Sequence, residues 1–211
     1  MSAYNSARAR KLIEFLNRHF GEIPWWPGDA DEVMIGAILT QQTRWENVEL
    51  ALANLKRTGL CTLAAIHAAA QPEIEEAVRC AGFYHIKAGR LKALAAHVIG
   101  TYDSVAQMKA VSTDELRSGL LGVAGIGEET ADSILCYGFS RASFVVDAYT
   151  ERMAHCAGIT IPRSGLKSLF EGVLPMDANA YRQTHAHIVE YAKKSCTKKR
   201  CEGCRIMALN G

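Results

Sequence analysis

Helical spacing of apolar residues is the feature that most constrains how this chain folds. Residues 7–20 place Leu12 and Leu16 on one helical face, residues 31–42 form a strongly apolar stretch typical of a buried helix, and residues 47–57 repeat the amphipathic pattern. Alternating runs of β-branched residues, which would predict strands, do not appear. The sequence therefore predicts an all-α protein.

Helix-start signals extend this prediction along the rest of the chain. Glu115 follows Ser112 at the spacing of a capping box, and Pro72 suits the first turn of a helix, where its missing N–H costs nothing. We expect further helices near residues 87–99, 113–121, 128–139, 147–157, 164–172 and 178–194.

A glycine turn joins two of these predicted helices. Within Val-Ala-Gly-Ile-Gly-Glu-Glu-Thr-Ala (123–131), Gly125 and Gly127 would let backbone N–H groups approach a phosphate, because no Cβ stands in the way. Asp147, twenty residues after Gly127, follows an apolar run that would hold its carboxylate partly desolvated. This pattern indicates an enzyme that holds a DNA backbone while it attacks one nucleotide. A plain helix connector with a capping aspartate is the alternative interpretation.

The charge balance predicts local rather than global attraction to nucleic acid. The 211 residues include 24 Lys and Arg against 22 Asp and Glu, so the net charge supplies little attraction. Between Tyr191 and Arg205, six basic residues face a single acid, Glu202. Such tails are often merely solvated, but three cysteines interrupt this one and favour an ordered segment.

The cysteines and the N-terminus indicate a cytoplasmic protein. Four of the seven cysteines occur singly in apolar segments with helical spacing, which fits reduced thiols better than a disulfide framework. The first residues lack the apolar region of a signal peptide, and no apolar run approaches the length of a membrane span. We expect a monomer without a membrane partner.

The sequence around the glycine turn resembles the signature of a known family. Leu-x-Gly-Val-Ala-Gly-Ile-Gly-x-x-Thr-Ala-x-x-Ile-Leu, followed by Val-Val-Asp, is similar to the helix-hairpin-helix and catalytic-aspartate signature of the endonuclease III superfamily of DNA glycosylases. The resemblance runs from about Pro24 to Cys204. It implies two helical lobes with the active-site groove between them: a six-helix lobe over 24–139, and a second lobe formed by 1–23 and 140–211.

The resemblance also implies roles for residues near the turn. Asp147 matches the family's essential aspartate, whose carboxylate stabilises an oxocarbenium-like transition state and positions water. Gly125, Gly127 and Thr130 match the positions that bind a DNA phosphate. Glu129 stands where strand-cleaving members carry a lysine that forms a Schiff base. Because a carboxylate cannot form that imine, we expect no lyase activity.

Two further segments match the residues with which such enzymes flip a base out of the duplex. Gln41, in Ile-Leu-Thr-Gln-Gln-Thr (38–43), matches the glutamine that enters the vacated space. Phe83 lies at the tip of Gly-Phe-Tyr-His-Ile-Lys-Ala (82–88), which resembles the family's wedge loop; a core aromatic is the alternative. His185 is the better match to a family histidine than His187, and for both we expect a packing or helix-bonding role.

Tryptophans suggest the lesion class. Trp25 and Trp26 lie between prolines, and with Trp45 they resemble the pocket of the superfamily's single-function 3-methyladenine glycosylases. An indole face attracts a cationic, alkylated purine by about 0.5–2 kcal/mol. A structural staple at the entry of the following helix is the alternative.

The C-terminal cysteines match the family's iron–sulfur loop incompletely. Cys196, Cys201 and Cys204 fall where many members bind a 4Fe–4S cluster, but the first gap is two residues short and Asn210 stands at the fourth position. A cluster with a non-cysteine ligand, a zinc site that recruits a histidine, and a metal-free vestige are all open. Cys-Glu-Gly-Cys (201–204) within a basic loop keeps the family's form and favours the cluster.

Together these features predict a monofunctional DNA glycosylase of base-excision repair. It would bind double-stranded DNA that contains a damaged base and remove alkylated purines such as 3-methyladenine without cutting the strand. A glycosylase for mismatched or oxidised bases and a non-catalytic sensor of DNA lesions are the alternatives.

Overall fold

The computed structural model describes residues 2–24, 26, 28–196 and 204–210. Within these residues the regular structure is helical, without strands, which confirms the all-α prediction. The helices are α1 (Ala3–His19), α2 (Ala30–Leu39), α3 (Trp45–Arg57), α4 (Leu63–Ala68), α5 (Gln71–Val78), α6 (Tyr84–Tyr102), α7 (Thr113–Leu121), α8 (Glu128–Ser133), α9 (Ala148–Cys156), α10 (Arg163–Val173) and α11 (Ala178–Ser195). Short 3-10 turns occupy Arg79–Ala81, Gln107–Ala110 and Met207–Asn210.

The chain separates into two compact units, of which Gly28–Phe139 contains α2 to α8. Helix α2 is its centre: residues 33–39 are all buried, and α2 packs against α3, α6 and α8. Burying each larger apolar side chain contributes about 1.5–3 kcal/mol before the entropy of ordering is subtracted. The all-round apolar sequence of α2 is therefore the one expected of a central helix.

This unit contains seven α-helices rather than the six predicted, because α4 is a separate six-residue helix. A helix this short does not display a hydrophobic period, and tertiary contacts hold both of its ends. Asp31 Oδ1 accepts a hydrogen bond from Leu63 N at 2.7 Å. At the other end, Lys92 Nζ donates to the carbonyls of Ile66, His67 and Ala69.

The predicted helix over 128–139 changes its hydrogen bonding partway along. It is α-helical over Glu128–Ser133 and continues as a π-helical turn, Ile134–Gly138. This turn packs against α2, and a Cβ added at Gly138 would lie 3.4 Å from Val33 Cγ1. Close packing against α2 thus accompanies the widened turn.

The other unit comprises Met1–Pro27 and Ser140–Gly211. Helix α1 packs against α10 and α11, and α9 packs against α11. The Phe144 ring stacks on Phe170 at a centroid distance of 4.7 Å and meets Tyr181 edge-on at 5.8 Å. This aromatic cluster anchors the segment that leads to Asp147. Across the described ranges, no helix has both the length and the apolar character needed to cross a membrane.

Candidate functional site

Asp147 caps α9 and faces a histidine from α11. Its Oδ1 accepts hydrogen bonds from Thr150 N at 2.7 Å and Thr150 Oγ1 at 2.9 Å, which confirms the capping role expected of an aspartate here. Its Oδ2 lies 3.5 Å from His185 Nε2. The Asp147 side chain is only 14% exposed and that of His185 8%. The site therefore holds a nearly buried carboxylate beside an imidazole.

The surroundings of Asp147 favour its ionised form. Burial acts to raise the pKa of Asp147, but the interactions with His185 and the hydrogen bonds from Thr150 outweigh it, so the pKa lies below its ordinary value of 3.8. Asp147 is therefore a carboxylate at neutral pH. An anion held in a nearly dry position can stabilise a developing positive charge more strongly than one in water.

The two histidines of α11 differ in their surroundings. His187 has Nδ1 3.2 Å from Asn17 Oδ1 and Nε2 2.9 Å from the Gly21 carbonyl, in agreement with the packing role expected for it. His185 instead lies beside Asp147, a contact that the packing role expected for it did not anticipate. The resemblance favoured His185 as the family histidine, but it did not indicate the contact with Asp147.

The glycine turn connects α7 to α8, and its two glycines have different conformations. Gly125 has φ of 88°, in the left-handed region, and an added Cβ would come within 2.5 Å of the Arg90 side chain. Gly127 has φ of −98° and ψ of −179°, and an added Cβ would meet nothing within 4 Å. The fold therefore requires glycine only at 125.

An ion pair fixes the two helices of this hairpin. Arg117 of α7 donates from Nε to Asp132 Oδ1 at 2.8 Å and from Nη2 to Asp132 Oδ2 at 3.2 Å. The Asp132 side chain is 3% exposed. A two-pronged contact of this kind restricts orientation as well as distance, so the turn is held rigidly between α7 and α8.

Gln41 is bonded to the glycine turn. Its Nε2 donates to the Gly125 carbonyl at 3.0 Å and to Thr130 Oγ1 at 3.1 Å, and Arg90 Nη1 donates to its Oε1. Insertion of Gln41 into DNA would have to break these hydrogen bonds. Thr130 is buried, and its Oγ1 accepts a hydrogen bond from Gln41 Nε2. Its backbone N–H lies in the first turn of α8, where N–H groups have no partner within the helix.

Two neighbouring residues project instead. Helix α2 ends at Leu39, three residues before the end of the predicted helix, and Gln42 follows in the left-handed region with φ of 54° and an exposed side chain. Phe83 has φ of 47°, precedes α6 and is 62% exposed. A large exposed aromatic in a strained conformation is unusual unless it has a function. The resemblance selects Gln41 of the two adjacent glutamines, and the sequence alone does not indicate which one projects.

Lys87 ties the two projecting loops together. Its Nζ donates to the carbonyls of Leu39 and Ala81 at 2.7 and 2.8 Å and to Thr43 Oγ1. Burial, with a smaller effect of the nearby Arg90 guanidinium, lowers the pKa of Lys87 to about 8. Lys87 thus joins the end of α2, the loop after it and the wedge loop.

The structure describes two of the three tryptophans. Trp25 lies outside the described residues. Trp26 is half-buried in the unit that contains Asp147, and Trp45 is half-buried at the first position of α3 in the other unit.

The cysteine loop does not supply the donors of an all-cysteine cluster. Cys196 follows α11, and Cys204 precedes the last 3-10 turn. Cys201 lies outside the described residues. Among the described residues, no group of three or more His, Cys, Asp or Glu side chains is placed to hold a metal ion. The C-terminal loop offers three cysteines where the resemblance implies four, so we derive no chemical step from a cluster.

Comparison with known proteins identifies the family of this chain. A profile of HhH-GPD superfamily base excision DNA repair proteins matches residues 35–171. A protein of Methanocaldococcus jannaschii, named provisionally as a DNA repair glycosylase, is 42% identical over 203 residues, which cover 93% of this chain and 92% of the relative.

Solved structures give the same result. The crystal structure of H. pylori 3-methyladenine DNA glycosylase bound to 1,N6-ethenoadenine has a TM-score of 0.77 and 30% identity, covering 90% of this chain and 97% of that one. A non-covalent endonuclease III–DNA complex has a TM-score of 0.80 at 20% identity, covering 97% and 94%, and shows likeness of fold. The chain therefore belongs to the HhH-GPD superfamily of base excision DNA repair proteins, as an endonuclease III-like DNA glycosylase.

Proposed function

We propose that this protein is a monofunctional DNA glycosylase that hydrolyses the bond between deoxyribose and an alkylated purine such as 3-methyladenine. The observation that carries the proposal is the pair of carboxylates at 147 and 129. Asp147 is ionised and nearly buried, whereas Glu129 is exposed in the first turn of α8, where strand-cleaving relatives have a lysine.

Asp147 supports hydrolysis without a covalent enzyme intermediate. As the bond from C1′ to the base nitrogen breaks, its electron pair leaves with the base and positive charge develops on the sugar. The Asp147 carboxylate stabilises that charge, and water attacks C1′ and loses its proton. An alkylated purine already carries positive charge and leaves readily, so moderate catalysis suffices. The products are a free base and an intact strand with an abasic site.

Three features support the substrate class. Trp26 lies in the same unit as Asp147, and Trp25 precedes it in sequence. An indole face attracts a cationic purine through its quadrupole. The solved relative at 30% identity is a 3-methyladenine glycosylase with an ethenoadenine ligand.

To fill the space that the flipped base leaves in the duplex, we propose Gln42 and Phe83 as the inserting side chains. Both project from the surface, whereas Gln41 is hydrogen-bonded to the glycine turn.

The first test separates the three candidate activities. Duplexes with one defined lesion each (3-methyladenine, hypoxanthine, 8-oxoguanine and a G·T mismatch) are incubated with the protein, with and without alkali. We expect release of the alkylated purine and strand breaks only after alkali. Asp147→Asn should reduce the single-turnover rate by about 10²-fold or more, with duplex affinity retained. Covalent trapping by borohydride would contradict a hydrolytic mechanism, and lesion binding without base release would identify a sensor.

The second test concerns the aromatic pocket. Trp26→Ala should remove about 1–3 kcal/mol of stacking and lower the ratio of single-turnover rates on 3-methyladenine and hypoxanthine. The ratio should change because only the cationic base gains the quadrupole attraction. Trp26→Phe, which keeps an aromatic face, is the matched control and should preserve most of the ratio. An unchanged ratio in Trp26→Ala would leave this residue as a structural staple.

A further inference from the structure

The segment that carries Asp147 is held by one face of α10. Residues 143–147 have no regular secondary structure, so their backbone groups need partners from elsewhere in the fold. Arg163, Lys167 and Glu171 of α10 recur at four-residue intervals and therefore share one helical face. We call these three residues the α10 stripe.

The middle and the end of the α10 stripe bind the start of the segment. Lys167 Nζ donates to the Phe144 carbonyl at 3.2 Å and to Ser143 Oγ at 2.7 Å. The Phe144 N–H donates to Glu171 Oε1 at 2.9 Å. Lys167 Nζ also lies 3.0 Å from Glu171 Oε1, so both polar groups of the Phe144 backbone contact one ion pair.

The first member of the stripe binds the end of the segment. Arg163 Nη2 donates to the carbonyl of Val146, the residue directly before Asp147, at 2.7 Å. Arg163 Nη1 lies 3.2 Å from Glu151 Oε2, in the first turn of α9. Arg163 thus joins the peptide before Asp147 to the helix that Asp147 caps.

We infer that the α10 stripe is a positioning device for the Asp147 carboxylate. By fixing the main chain of residues 144–146, it keeps Oδ1 on Thr150 and Oδ2 beside His185. In this role the stripe acts through Asp147 rather than on the reacting base. This inference rests on the proposed function, in which Asp147 stabilises charge on the sugar. A misplacement of about 1 Å can cost an enzyme roughly 10²-fold in rate.

Two other roles for these residues must be separated from positioning. The stripe's charges act on Asp147 through space, and Arg163, whose side chain is 42% exposed, can meet a DNA phosphate. Glu171 distinguishes charge from geometry. If Glu171 acted only through its charge, removing that charge would lower the pKa of Asp147. If Glu171 acts by holding residue 144, its loss would loosen the contacts of Asp147 with His185 and Thr150. The effect of burial would then dominate and raise the pKa of Asp147.

The first experiment measures Asp147 in the protein without DNA. The carboxyl carbon of Asp147 is identified by its loss in Asp147→Asn and titrated by NMR in wild type, Glu171→Met and Arg163→Lys. We expect the pKa of Asp147 to rise in Glu171→Met and to stay near the wild-type value in Arg163→Lys, which keeps a donor and a positive charge. His185 is the titratable group that faces Asp147, and its ring signals are followed in the same samples. A fall or no change in Glu171→Met would overturn the inference.

The second experiment measures rate and affinity separately. Arg163→Ala should lower the single-turnover rate of base release by about 10- to 100-fold, with affinity for a duplex containing a tetrahydrofuran abasic analogue changed by less than about threefold. Arg163→Lys should restore most of the rate. The control is Arg18→Ala, which removes an exposed arginine of the same unit whose Nε donates to the Glu14 carbonyl. If the loss of rate in Arg163→Ala were no larger than its loss of DNA affinity, Arg163 would be a phosphate-binding residue. That result would overturn the positioning role of the α10 stripe.

Failure of the positioning inference can be distinguished from failure of the proposed function. If wild type released no base from any lesion duplex, the proposed function would fall, while the Asp147 titration would still support or refute the stripe. If base release occurred but the pKa of Asp147 were unchanged in Glu171→Met and the rate were unchanged in Arg163→Ala, the α10 stripe would be a structural brace only.

Discussion

A carboxylate that must stay ionised in a nearly dry site depends on the groups around it. For Asp147, burial alone would raise the pKa and favour the neutral acid, which could not stabilise positive charge. His185 and Thr150 reverse this effect, and the net pKa is below 3.8. The stability that follows from this shift is present above pH 3.8 and is lost as the pH falls through the lower, folded-state value.

Replacing the imidazole should expose this dependence. In His185→Gln the interactions of the imidazole with Asp147 are lost, so the pKa of Asp147 should rise and the acid limb of the single-turnover rate should move to higher pH. Wild type should keep its rate at pH values down to the ordinary Asp pKa of 3.8, once spontaneous base loss is subtracted. His187→Gln, two positions along the same helix and bonded to Asn17 and Gly21, is the matched control. An acid limb that moves equally in both variants would point to general loosening of α11.

At the scale of the element, the two glycines of the hairpin turn are there for different reasons. Gly125 is required by its positive φ and by the Arg90 side chain beside it. Gly127 is not required by either, yet it is the N-cap of α8, a position at which Asp and Asn are better capping residues than Gly. Glycine at 127 therefore gives up a few tenths of a kcal/mol of helix stability. We propose that close approach of a DNA phosphate to the first turn of α8 is the reason for glycine at this position.

This interpretation predicts opposite effects on stability and on binding. Gly127→Asp should raise the melting temperature slightly, since it caps α8, but weaken binding to damaged and undamaged duplexes alike, because it places a negative charge beside a phosphate. Gly127→Asn has nearly the same shape and capping ability without the charge, and should bind DNA more tightly than Gly127→Asp. Differential scanning fluorimetry and fluorescence anisotropy provide the two measurements. Weakened binding to one lesion alone would argue against a backbone contact.

Most helices could be predicted from the sequence because hydrophobic spacing and capping residues are local signals. The N-caps at Ser112 and Asp147 were both expected, and the structure confirms them. Tertiary contacts decided the rest. Helix α4 depends on side chains from distant residues, and the division of roles between Gln41 and Gln42 depends on where α2 ends. Likewise, the spacing of the α10 stripe is visible in the sequence, but its target segment is not.

At the scale of the whole molecule, the charge balance limits how DNA binding can arise. The formal net charge of +2 provides little long-range attraction, so affinity must come from local interactions with phosphates. The sequence offers one concentrated group, Lys198, Lys199 and Arg200, which lies outside the described residues. If this group binds DNA, it does so without regard to the damaged base.

Salt dependence tests this assignment. Replacing Lys198, Lys199 and Arg200 together by Gln should flatten the slope of log K against log salt concentration by about 0.9 for each phosphate that is no longer neutralised, equally for damaged and undamaged duplexes. The matched control replaces Arg10, Lys11 and Arg18 of α1 by Gln. Both variants lose three positive charges, which takes the formal net charge from +2 to −1, so a global field would affect them equally. A flatter slope in the tail variant alone would identify the tail as a phosphate-binding segment. Equal slopes in the two variants would instead assign phosphate binding to the hairpin and the loops around it.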